Sequence, residues 1–93
     1  MTSDINFYKV DGMTSQEILV RMVKSQYSEL CFVGRINNGL RYDVEPTGGT
    51  GAYMDITLND EAPIKLDGNK DEFKVSISLL EKILGKKLVE VKK

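Results

Sequence analysis

The sequence predicts an α+β fold, a single small domain over residues 1–93 with a mixed or mainly antiparallel sheet of about five strands packed against two helices. Three observations predict it. Two segments carry apolar residues at helical spacing, several short runs alternate apolar with polar residues, and turn-forming clusters separate those runs closely enough for hairpins rather than crossovers. A partly open small barrel is the alternative closure of the same strands. Ninety-three residues suffice for one hydrophobic core, and a composition 41% hydrophobic and 29% charged is that of a globular chain.

The first strand is read over Ile5 to Val10, with Ile5, Phe7 and Lys9 facing one way and Asn6, Tyr8 and Val10 the other. Asp11-Gly12 breaks it. Thr14-Ser15-Gln16-Glu17 then has capping-box spacing, in which the threonine hydroxyl oxygen accepts an orphan backbone N–H and the glutamate returns the bond. Ile18, Leu19, Met22, Val23 and Tyr27 form the apolar stripe of the helix that follows, about three turns long.

Asn37-Asn38-Gly39 lies between two strand-like runs and marks a hairpin. A three-residue loop with Gly39 as a bulge pairs Ile36 with Leu40 and Phe32 with Val44. It gathers Leu30, Phe32, Ile36, Leu40, Tyr42 and Val44 on one face. Cys31, Val33, Arg35, Arg41, Asp43 and Glu45 take the other. In this register Arg35 and Arg41 stand opposite each other, and the repulsion calls for a nearby anion, with Asp43 or Glu45 on the same surface.

Thr47 to Gly51 reads as a mobile connection. Tyr53 to Leu58 alternates again, with Met54, Ile56 and Leu58 inward. Ile64 to Leu66, following Pro63, is expected as a short edge strand. Phe73, Val75 and Ile77 are read as another strand. Ser78-Leu79-Leu80-Glu81 is read as a second capping box opening a helix that ends at Gly85, and Leu88 to Val91 as the last strand.

The chemistry is bounded mostly by what the chain lacks. It has no histidine, which removes the commonest neutral-pH base and transition-metal ligand. Cys31 is the sole cysteine, read as a small buried hydrophobe in a reducing compartment. Asp43, Glu45 and Asp55 are read as solubilising a sheet face, with no calcium-loop spacing around them. No catalytic residue, metal site or cofactor is therefore assigned. Neither a basic-then-apolar leader nor an apolar run long enough to span a bilayer is present, so a cytoplasmic location and no membrane contact are expected.

Formal net charge is −1, which gives no global pull towards nucleic acid. The expected function is a small non-catalytic protein-interaction module, an adaptor, inhibitor or oligomeric subunit, with another protein or its own copy in a homodimer as partner. Val33, Arg35, Arg41 and Tyr53 on the hairpin face, and the Ile64–Leu66 edge, are its candidate contacts. The alternative is a nucleic-acid- or nucleotide-binding module. Arg35 and Arg41 would meet phosphate there, aided by backbone amides at Gly48, Gly49 and Gly51 and by Lys86, Lys87 and Lys92. Residues 70–93 hold 7 basic against 4 acidic residues, whereas residues 1–69 hold 6 against 10.

Overall fold

The computed structural model describes residues 4–25, 30–44 and 52–92. Within them the short alternating runs join into a six-stranded sheet with neighbours in the order β2-β3-β4-β5-β1-β6. The strands are β1 (Asp4–Lys9), β2 (Leu30–Ile36), β3 (Gly39–Val44), β4 (Ala52–Thr57), β5 (Ile64–Gly68) and β6 (Val89–Val91), and the helices are α1 (Ser15–Lys24) and α2 (Phe73–Leu84). Every pairing is antiparallel. The order is linear, so the sheet is open, with β2 and β6 at its edges.

Register explains which residues are buried. One row across the sheet runs Asn6, Leu66, Met54, Tyr42, Phe32, and the next runs Tyr8, Ile64, Ile56, Leu40, Arg35. These rows form the face that meets Ile18 and Met22 of α1 and Leu80 and Leu84 of α2 in one core. Thr14 caps α1 as its spacing predicts, accepting from the Glu17 N–H while Glu17 accepts from the Thr14 N–H. Gly85 closes α2 in the left-handed conformation, φ 71°.

Three expectations are corrected. Phe73 to Ile77 is the first part of α2 and not a strand. Phe73, Ser76, Leu79, Leu80, Ile83 and Leu84 are buried at helical spacing, whereas Val75, which gives the alternation of a strand, is exposed. Asn69 starts this segment by accepting from the Asp71 N–H ahead of a 3-10 turn at Lys70–Glu72; Ser78, read as a cap, lies inside the helix.

The hairpin loop is Asn37-Asn38, with Asn38 at φ 66°, and Ile36 pairs with Gly39. The extra residue is taken up further along, where the register shifts between Phe32 and Gly34. Gly39 is not in the left-handed conformation of the expected bulge, and a Cβ there would run into the Ile56 carbonyl on β4.

Ile64 and Leu66 are not on an edge. β5 pairs with β4 on one side and β1 on the other, and both side chains are fully buried. Pro63 stands just before the strand, so its missing donor costs no ladder bond.

Candidate functional site

The outward face of the sheet carries the row Val91, Phe7, Lys65, Asp55, Arg41, Gly34. Arg41 sits opposite Asp55 and donates to both carboxylate oxygens, from Nε at 2.8 Å and from Nη2 at 3.0 Å. Its guanidinium also lies over the Tyr53 ring, 4.9 Å from the centroid. The bond to Asp55 raises the Arg41 pKa. This saturated pair leaves the Arg41 fork committed to a neighbour rather than to a phosphate.

The bulge at Val33 also separates the two arginines. Arg35 pairs with Leu40 and Arg41 with Gly34, on opposite faces of the sheet. The expected Arg35–Arg41 repulsion therefore does not arise, and the anion beside Arg41 is Asp55 rather than Asp43 or Glu45. Lys87 is within 3.8 Å of Glu81 and Lys92 within 4.0 Å of Glu90. Lys86 is exposed beyond α2. Gly48, Gly49 and Gly51 lie outside the described residues, as do Tyr27 and Glu45. The anion-binding set is thus dispersed, and no group of three or more carboxylates or cysteines with metal-binding geometry occurs among the described residues.

Of the expected protein contacts, Val33 and Tyr53 are exposed and Arg41 is partly covered, while Ile64 and Leu66 are in the core. Arg35 leads to a feature the sequence reading missed. It lines a groove of about 520 Å³ between α1 and the β2–β3 hairpin, with Leu19, Val20 and Val23 on one wall and Ile36, Leu40 and Leu58 on the other. A second depression of about 310 Å³ continues it past Val23 and Leu40 to Leu30, Phe32 and Tyr42.

The apolar residues of this trough are solvated. Val23 is 65% exposed, Phe32 55% and Leu58 50%. Phe32 meets the edge of Tyr42, at 5.5 Å between ring centroids. The two charged residues lining the groove are Lys24 and Arg35, both cationic, and neither is ion-paired among the described residues.

Local bonds fix the helix wall. Ser15 donates from its N–H and its hydroxyl to Asp60 Oδ1, at 2.9 and 2.7 Å, tying the start of α1 to the β4–β5 turn. Those two bonds hold the Asp60 carboxyl below its ordinary range, and the Thr14 bonds do the same for Glu17. Arg21 Nη1 donates to the Leu84 carbonyl at 3.4 Å, joining α1 to the end of α2.

A signal for the trough was present in the sequence. Ile18, Leu19, Val20, Met22 and Val23 occupy about 200° of helical arc at 100° per residue, roughly twice the stripe needed to sit on one sheet. Ile18 and Met22 fill the core. Leu19, Val20 and Val23 make up the surplus.

No helix among the described residues is long and apolar enough to cross a membrane. No protein-family model, curated protein or solved structure matches the chain.

Proposed function

We propose that this protein is a non-catalytic protein-interaction module, an adaptor, inhibitor or subunit, whose docking surface is the trough between α1 and the β2–β3 hairpin. One observation carries the reading. Val20, Val23, Phe32 and Leu58 converge on a continuous apolar depression and remain exposed. Single apolar residues on a surface are ordinary, but a contiguous apolar patch with charged residues at its rim is how partner sites are built. The alternative anion-binding reading lacks such convergence, since Arg41 is occupied by Asp55 and Arg35 lies on the other face.

Native mass spectrometry of the untagged protein, isolated gently from its source, tests the reading. The expected result is an additional protein mass that is lost in Val23→Gln and retained in Val75→Gln, a comparably exposed position on α2. An additional mass indifferent to Val23, or none, overturns it.

A further inference from the structure

We propose that the occupant of the trough is an amphipathic acidic helix of a partner protein, laid beside α1 across β3 and β2; this rests on the docking role proposed above and adds the partner's chemistry. The first argument is one of coverage. Strands lie about 4.8 Å apart and packed helices about 10 Å apart, so one helix covers roughly two strands. Two helices therefore cover about four of the six strands. Tyr8, Ile64, Leu66, Met54 and Ile56 on β1, β5 and β4 are buried. On β3 Tyr42 and Val44 are still buried, but at its hairpin end and along β2 the same face thins out, with Leu40 and Leu30 half-buried and Phe32 exposed. The uncovered strip lies along β2 and the hairpin end of β3.

The second argument is the shape of the wall. Leu19, Val20 and Val23 present a ridge of residues three and four apart along the flank of α1, the kind of row that interdigitates with a neighbouring helix.

Charge selects the partner. Lys24 and Arg35 stand in the lining without a carboxylate among the residues that form it. A second copy docked on the same face about a two-fold axis would gather Lys24 and Arg35 of both copies in one interface with no carboxylate in either lining, and like charges in an interface oppose association. A helix with Asp or Glu flanking its apolar stripe meets both cations instead.

Selection of a random peptide display library on the full chain tests this, with Val23→Gln as the counter-selected protein. Peptides enriched on the wild type alone should carry large apolar residues at helical spacing flanked by Asp or Glu. Replacing those acids by Gln should weaken binding roughly tenfold, the modest loss expected of exposed rim pairs. The double variant Lys24→Glu/Arg35→Glu should select Lys- or Arg-flanked peptides. Acid-free peptides enriched equally on the wild type and on Lys24→Glu/Arg35→Glu, but not on Val23→Gln, overturn the acidic partner and leave the docking reading standing. Enrichment indifferent to Val23 overturns both. A wild-type dimer in sedimentation that dissociates in Val23→Gln assigns the trough to a second copy and also overturns the proposal.

Discussion

Arg41 and Asp55 face each other across the β3–β4 ladder on the uncovered side of the sheet, yet they differ in access to water. The side chain of Asp55 is 3% exposed and that of Arg41 32%. Removing Asp55 leaves a guanidinium that water can reach, whereas removing Arg41 strands a buried carboxylate. Arg41→Gln should therefore cost about 3 kcal/mol and Asp55→Asn about 1 kcal/mol. Urea denaturation of the two variants measures the difference, and a larger loss for Asp55→Asn would contradict this account.

The two glycines of the hairpin should behave in opposite ways. A Cβ on Gly39 would run into the Ile56 carbonyl and the Thr57 backbone on β4, while one on Gly34 meets nothing within 4 Å. Backbone on both sides cannot yield without opening the β3–β4 ladder. Gly39→Ala should cost about 3 kcal/mol or more, and Gly34→Ala less than about 0.5 kcal/mol. Thermal unfolding of the pair decides between them.

Much of this frame was legible because it is local. The Thr14 cap, the Gly85 stop and the strands β1 and β4 each follow from a few adjacent residues, although Leu58, read as inward in β4, lies beyond it and is half exposed, and Asp55, read as solubilising a sheet face, is buried against Arg41. The β2–β3 register was not, since it depends on Gly39 lying flat against β4, a strand whose contact the hairpin sequence does not encode. Phe73 to Ile77 misled because Phe73, Val75 and Ile77 alternate over a stretch too short to separate the two periods. Its helical reading emerges only with Ser76 buried and the run extended to Leu84. Ile64 and Leu66 read as an edge because Pro63 precedes them, although a proline before the first ladder bond constrains nothing further along. The trough needed long-range information: Val23 and Phe32 stand at opposite ends of a segment joining α1 to β2, and only the fold brings them to one depression.

Acid should loosen the start of α1. Glu17 and Asp60 both have folded-state pKa values below their ordinary range, through bonds from Thr14 and Ser15 respectively. A lowered folded pKa means the stabilisation is complete above the unfolded-state value and is lost as pH falls through the carboxylate range. The melting temperature should therefore decline on acidification. Glu17→Gln and Asp60→Asn should each lower it at neutral pH and flatten the acid limb. A decline equally steep in both variants would place the responsible carboxylates elsewhere.

Residues retained for docking rather than for folding should be replaceable without loss of stability. Val23 is 65% exposed on the flank of α1, so truncation removes little buried area, and alanine is the better helix former. Ile56, fully buried in the middle of the sheet, sits in the same apolar chemistry with no water to lose. Val23→Ala should change stability by less than about 0.5 kcal/mol, and Ile56→Ala should cost about 3 kcal/mol. Phe32→Ala falls between them, at about 1 kcal/mol, because its edge contact with Tyr42 is worth that much. Denaturant titration of the three variants gives the order directly. If Val23→Ala costs as much as Ile56→Ala, the wall of the trough is part of the folded core in solution and is not available to a partner.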